Sequence, residues 1–329
     1  MKIITPLIIV LVLIALAYVG VMAGLTSLFG VVIPYIALVV FLLGFVYKVV
    51  KWAQSPVPFR IPTTAGQQQS LPWIKQNKFD NPSNLVGVLV RMALEVLLFR
   101  SLFRNTKAEL GNGASLAYGS AKWLWLGGLV FHWSFLVIII RHNRLFLEPV
   151  PAIIALIEQF DGLFQVMVPA FYLTDAAILV ALTYLFFRRV VSPQIKYISL
   201  PADYFPLYLI GAIAVTGILM RYFIRVDVVA IKALVRGLIT FDFSPQEGIG
   251  VLFYIHLFLV SILAIYFPFS KLMHLGGVFL SPTRNLASNN RMRRHINPWN
   301  PDIKPRTYPE YEDEFREKMK QVGLPVDKD

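Results

Sequence analysis

Residues 249–274 read IGVLFYIHLFLVSILAIYFPFSKLMH, and residues 124–142 read LWLGGLVFHWSFLVIIIRH. Both are apolar runs of spanning length, because a helix needs about 20 residues to cross a hydrocarbon core of roughly 30 Å. Each run carries two histidines, His132 and His142 in one, His256 and His274 in the other. Ionisable side chains at membrane depth are expensive and are functional candidates by default.

Four further apolar runs lie at 6–24, 31–50, 164–187 and 204–223, beside 124–140 and 249–269. With 57% hydrophobic and 15% charged residues over 329 positions, the chain is expected to be an all-α membrane protein of about six transmembrane helices. The first run follows only Lys2 and no clear small-residue cleavage site, so it is expected to be retained as a helix. A seventh stretch, 85–103, carries Arg91, Glu95 and Arg100 within its apolar pattern. Those charges favour an amphipathic helix at the membrane surface or against a partner. The i,i+4 spacing of Arg91 and Glu95 predicts a pair on one face.

The net charge of +12 is distributed as topology requires, and no nucleic-acid partner is expected. With both termini cytoplasmic, 25 of the 31 Lys and Arg residues lie inside and six outside. The absence of cysteine excludes disulfides, thiolate zinc, cysteine-ligated iron–sulfur clusters and covalently attached c-type haem. Any iron–sulfur chemistry must then reside on a partner. After Ser281 the chain turns basic at 289–295 and rich in proline, with a charged stretch at 310–320 that could form a short helix. It is either a solvated tail or a docking arm for a cytoplasmic subunit.

His132 and His142 are ten residues apart, about 15 Å of helical rise, and His256 and His274 eighteen apart, about 27 Å. Antiparallel placement pairs His132 with His274 near the inner side and His142 with His256 near the outer side. Two facing imidazoles at each level are what six-coordinate haem iron requires in a helical bundle. Tilt, or a ligand beyond the regular helix, must absorb the unequal rises. The bland reading of any one such histidine is a hydrogen-bonded packing residue. Copper or zinc is disfavoured because no acidic or sulfur ligand clusters with the histidines. Gly127 and Gly128, one turn before His132, fit close approach of a macrocycle or close helix packing equally well. Pro268 should kink its span near the inner end.

The stretch from His256 through Tyr-Phe-Pro-Phe-Ser-Lys-Leu-Met to His274 resembles the last span of the respiratory nitrate reductase gamma subunit family, dihaem cytochromes b with two histidine pairs on two spans. Ile33-Pro-Tyr-Ile-Ala and Arg188-Arg-Val-Val-Ser-Pro fit other spans of that family, so that the resemblance covers about 31–284. The extra N-terminal span, the insertion at 55–69 and the tail resemble a narrower branch, the DsrM-type membrane cytochromes of DsrMKJOP complexes. The resemblance implies a haem-binding bundle of four to five helices at 31–280 with a cytoplasmic insertion at 51–123. An extra span at 1–30 and a docking tail at 281–329 complete the chain. It implies two haem b, held by His142 with His256 and by His132 with His274, and a menaquinone-type quinone or quinol exchanged on the outer side of the cytoplasmic membrane. It further implies a DsrK-like iron–sulfur partner acting on the carrier DsrC, with DsrP-, DsrO- and DsrJ-like subunits beside it.

Haem propionates are anionic, and the candidate cations are Lys271, one turn before His274, and Arg188 and Arg189, which close the neighbouring span, on the inner side, with Arg141 beside His142 and Arg221 and Arg225 at the end of the fifth span on the outer side; the alternative is ordinary interfacial snorkelling. The family lysine of the outer quinone pocket has no counterpart in 157–164. Arg144, Glu148, Glu158 and Asp161 are the candidates to replace it, unless they are solvated loop charges. Asp175, near the middle of its run, belongs to a proton path or haem-side polarity, or else to a helix–helix hydrogen bond with Thr174 or another span. Other assemblies remain open: a nitrate-reductase-like or heterodisulfide-reductase-like anchor, or a haem-free transporter with a histidine proton relay.

Overall fold

The computed structural model of the chain describes residues 1–55, 66–110, 116–162, 169–244, 247–293 and 304–328. His295 and most of the 55–69 insertion lie outside them. The helices in chain order are α1 Ile4–Met22, α2 Ile33–Ala53, α3 Leu85–Leu98, α4 Arg100–Arg104, α5 Lys122–His142, α6 Ala152–Asp161 and α7 Leu173–Val191. They continue with α8 Pro193–Ile198, α9 Pro201–Ile218, α10 Val228–Thr240, α11 Val251–Tyr266, α12 His274–Leu280, α13 Pro282–Asn285 and α14 Tyr308–Gln321. One antiparallel hairpin, β1 Thr106–Leu110 and β2 Leu116–Ser120, interrupts the helical pattern inside the insertion.

Among the described residues, five helical segments are long and apolar enough to cross a membrane: Ile4–Met22, Leu28–Ala53, Lys122–Leu145, Pro201–Phe223 and Val251–Phe269. The sixth expected span, 164–187, differs. Residues 163–168 lie outside the described set, and the helix there begins at Leu173. Its 19 residues include Asp175, Arg188 and Arg189, which lower its apolarity.

α11 is the hub, packed by α1, α2 and α9, while α7 bridges α9 to α5. The main core joins Val10 and Ala17 of α1, Leu209 of α9, Ile231 and Leu234 of α10, and Phe258 and Leu259 of α11. Ile178, Leu182 and Ile210 form a second cluster against Phe131 and Phe135 of α5. Outward positions such as Leu11, Leu43 and Val180 leave apolar side chains exposed, as lipid contact demands. Phe29 approaches α1 so closely that a Cβ on Gly20 would stand 2.4 Å from its ring.

Local chemistry accounts for the element ends. Asn84 caps α3 by accepting from Gly87 N at 2.8 Å, and Asp227 caps α10 by accepting from Val229 and Ala230 N. Pro206 inside α9 has no N–H for the carbonyl of Ala202, and the Tyr266 hydroxyl donates to that carbonyl at 3.3 Å instead. At the far end of α11 the chain leaves the helix as a 3-10 turn, Phe267–Phe269, followed by another at Lys271–Met273. His274 therefore stands beyond the regular helix, and the nominal five-turn rise from His256 does not apply.

Arg91 does not pair with Glu95. It is 3% exposed and donates to the carbonyls of Asp80 at 3.2 Å, Arg284 at 2.5 Å and Leu286 at 2.8 Å. Glu95 accepts from Ser101 N at 3.0 Å. Ser288 N donates to Pro82 O at 2.7 Å, so the first part of the tail docks on the chain's own insertion. The competing signal was local: i,i+4 pairs are worth only a few tenths of a kcal/mol, and about three charge-assisted bonds to buried carbonyls outweigh one.

The charged stretch of the tail forms α14, opened by a Thr307–Glu310 capping box. Glu312 is buried and accepts from the backbone N–H of Asp327 at 3.0 Å and of Lys328 at 2.8 Å. Burial works to raise its carboxyl, but these donors and Arg316 hold it below the ordinary value. A depressed carboxyl stabilises above its unfolded pKa of about 4.3 and loses that contribution as pH falls through the folded value. The 327–328 turn is expected to detach from α14 below about pH 4, and at neutral pH in Glu312→Gln, read by tail amide exchange.

Candidate functional site

α5 packs on α7, α7 on α9 and α9 on α11, which brings α5 and α11 to face each other. Imidazoles span the gap between them. His132 and His274 face each other with ring centres 5.8 Å apart and planes at 82°. His142 and His256 face each other at 6.4 Å with planes only 10° apart.

The second nitrogens show how each ring is held. His132 Nδ1 donates to Gly128 O at 2.7 Å, and His142 Nδ1 to Ile138 O at 2.7 Å. His274 Nδ1 donates to Lys271 O at 2.8 Å. His256 Nδ1 lies 2.9 Å from Thr216 Oγ1, whose own hydroxyl proton goes to the carbonyl of Ala212 or Ile213. A carbonyl can only accept, so each of the three bonded rings carries its proton on Nδ1, leaving a lone pair on Nε2. Thr216 accepts from His256 by the same logic. Imidazole ligands of metals are oriented this way, the remote N–H being tied back by a neighbour.

The separations test the fit of an iron between the rings. A metal–nitrogen bond of about 2.0 Å on each side, plus about 1.1 Å from nitrogen to ring centre, separates two trans imidazoles by about 6.2 Å. Both pairs lie within about half an ångström of that figure. No cluster of three or more His, Asp or Glu with metal-ligand spacing occurs among the described residues. Each pair offers two imidazoles, the number that a haem, with its four macrocycle nitrogens, would need. The two glycines of α5 have separate roles: a Cβ on Gly127 would meet the Tyr184 ring at 2.5 Å, whereas Gly128 meets only Leu102 at 4.0 Å. Gly127 serves helix packing, and Gly128 leaves open space one turn from His132.

Beside the His142–His256 pair lies a buried ionic cluster. Arg141 is ion-paired with Asp161 at 3.0 Å and Asp175 at 2.7 Å, and it donates to Thr174 Oγ1. Asp161 accepts from the Thr174 hydroxyl at 2.7 Å and amide at 2.9 Å. Asp175 accepts from the Tyr222 hydroxyl at 2.8 Å.

A family model described as the nitrate reductase gamma subunit matches residues 85–294, more than half of the chain. The chain belongs to the nitrate reductase gamma subunit family. The match begins after α2, so Ile33–Ala37 falls outside it. Two archaeal relatives are each called an Hdr-like menaquinol oxidoreductase cytochrome b-like subunit. That of Archaeoglobus fulgidus is 44% identical over 281 residues, covering 83% of this chain and 84% of its own. That of Archaeoglobus profundus is 41% identical over 277 residues, covering 82% of each. Both alignments exceed the family match in length.

In this gamma-family chain the remaining candidates are placed as follows. Arg144 forks onto both Glu158 oxygens at 3.1 Å, and Lys232 of α10 pairs with Glu148. The Lys232 ammonium holds the Glu148 carboxyl below its ordinary value. Lys271 pairs with Asp203 at 2.6 Å and stays largely exposed. Arg189 donates to Ser199 Oγ at 3.0 Å, and Arg188 is half-buried. Sequence reasoning missed Thr216, Tyr172 and Tyr222, all apolar-run residues with no local polar signal. The signal for Thr216 was its position, the one aliphatic hydroxyl in its span.

Proposed function

We propose that this chain is the dihaem cytochrome b subunit of a membrane menaquinol oxidoreductase of the Hdr-like kind. His142 and His256 hold an outer haem b, and His132 and His274 an inner one. The single observation that carries this reading is the two facing imidazole pairs, each Nδ1 tied back, at the separation of trans ligands. The family membership and the names of the archaeal relatives support it. A haem b with imidazole on both faces supplies one-electron transfer and leaves no open coordination site.

The chain's own residues do the rest. α5 holds His132 and His142 ten residues apart, so electrons cross about 15 Å of membrane depth between the pairs. Quinol oxidation at the outer side releases two electrons and two protons. The Arg144–Glu158 and Lys232–Glu148 pairs, just past His142, offer hydrogen-bond donors and acceptors to a quinone headgroup. Asp161 supports that region through Arg141. Inward, electrons pass to a cytoplasmic iron–sulfur subunit that supplies the clusters this cysteine-free chain lacks. The termini face the cytoplasm, and the 281–329 tail with the 51–123 insertion forms the docking face. In the finer version the chain is DsrM-like, its partner DsrK-like and DsrC-directed, with DsrP-, DsrO- and DsrJ-like neighbours in sulfur respiration.

The test is haem extraction and a reduced-minus-oxidised spectrum of the purified, assembled complex. Two b haems per copy of this chain are expected. None would sink the electron-transfer reading and leave the family membership as a statement about fold.

A further inference from the structure

Arg141, Asp161 and Asp175 are 7%, 7% and 9% exposed. The Tyr172 ring lies between two guanidinium groups, Arg141 at 3.8 Å and Arg221 at 3.9 Å from its centre. Arg221 also donates to Ala170 O at 3.0 Å, and Tyr222 OH accepts from Tyr172 N at 3.0 Å. The cluster thus ties together the last turn of α5, the end of α6, the first turn of α7 and the π turn Leu219–Phe223 that closes α9. The cluster holds two arginines and two aspartates, so its formal charges cancel; Arg141 pairs with both carboxylates and Arg221 lies across the Tyr172 ring.

Such a group is a poor device for stability alone, since apolar replacements of buried ion pairs are often neutral or stabilising. Its placement points elsewhere. Arg141 immediately precedes His142 in the last turn of α5, and Asp175 is bonded to Arg141 at 2.7 Å. The ion pairs near His132 and His274, Lys271–Asp203 and Arg100–Asp80, have more exposed cations than Arg141.

Building on the dihaem reading, we propose that Arg141, Asp161 and Asp175, with Arg221 across the Tyr172 ring, form a charge-balanced positioning cluster. It holds His142 against His256 and sets the reduction potential of the outer haem independently of the inner one. Reduction adds one negative charge at the outer site, and a neutral cluster beside it neither favours nor opposes that charge strongly. Upsetting the balance by one unit at about 10 Å, in an effective dielectric of about 20, shifts the reduction equilibrium more than tenfold. For one electron, tenfold corresponds to about 59 mV.

The experiment is a spectroscopic redox titration of the assembled complex. Asp175→Asn leaves Arg141 in excess, so the outer potential is expected to rise by about 60 mV. Arg141→Gln leaves carboxylate in excess, and the outer potential falls by a similar amount. The double variant restores neutrality and brings the potential back, while the inner haem stays fixed throughout. A purely structural role would move both single variants the same way, or move both haems together, and either result overturns the inference. If Arg141→Gln does not assemble, Asp161→Asn joins Asp175→Asn, and upward shifts confined to the outer haem are required of both. Absence of haem from the wild-type complex would instead overturn the dihaem reading, so the two failures are distinguishable.

Discussion

On the proposed dihaem reading, His142→Ala and His274→Ala are each expected to lower the haem content from two per chain to one, and to remove different haems. Every imidazole in the two pairs is one of only two axial ligands, and the facing ring cannot replace it. Loss of an outer-shell partner of a metal ligand costs about 10–100-fold in affinity, and loss of the ligand itself costs more. The haem that survives in His142→Ala is held by His132 and His274. The one that survives in His274→Ala is held by His142 and His256. The survivors are distinguishable by potential, and by the ferric spectrum, because the rings are crossed at 82° in one pair and nearly parallel in the other. Haem extraction and difference spectra of the two variants check this. If both variants lost the same haem, the pairing would be wrong; if neither lost any, these histidines would be packing residues. His132→Ala and His256→Ala should reproduce the losses of His274→Ala and His142→Ala respectively.

Arg91→Met is expected to release the start of the tail from the insertion without changing haem content. Arg91 is nearly inaccessible, and its guanidinium is the common partner of three carbonyls, on Asp80, Arg284 and Leu286. Burial pulls its pKa below the ordinary value, with Arg284 adding to the effect and Glu95 opposing it, and the three carbonyls are its hydrogen-bond acceptors. A hydrogen bond to a charged group is worth about 1.5–3 kcal/mol net, and an abandoned buried carbonyl costs about 1–3 kcal/mol. Methionine keeps the bulk and removes the donors, and a local loss of about 3 kcal/mol is expected. That corresponds to about a hundredfold rise in local opening. Limited trypsin digestion reads it directly, because Arg284, Arg291 and Arg293 lie in the released segment. Unchanged cleavage there would show that Ser288 and Asn289, bonded to Pro82 and Ser83, hold the tail alone.

The fold was legible where the physics is local. α1, α2, α5, α9 and α11 follow from apolar run length, because hydrocarbon admits only backbone that bonds to itself. The end of α11 was legible in Phe267-Pro-Phe, and the helix does leave its regular course there. The start of α7 at Leu173 was not, because the described residues 169–172 just before it are as apolar as a span. The hairpin at 106–120 was also missed, lying in polar sequence between two helical signals.

The residues that surround the site divide in the same way. By itself the sequence determined a helical membrane chain without cysteine, with four histidines spaced so that two levels are available on two segments. Spacing along one helix is a covalent property, and 1.5 Å per residue fixes depth without reference to any neighbour. Only the tertiary structure decided which rings meet, that Thr216 on α9 rather than a carbonyl holds His256, and that Arg141 spends its charge on Asp161 and Asp175. It also decided that Arg91 turns from Glu95 to the tail. Each of these contacts joins residues more than ten positions apart. A buried polar group takes the partner that packing brings within about 3 Å, and no pattern along one helix encodes that.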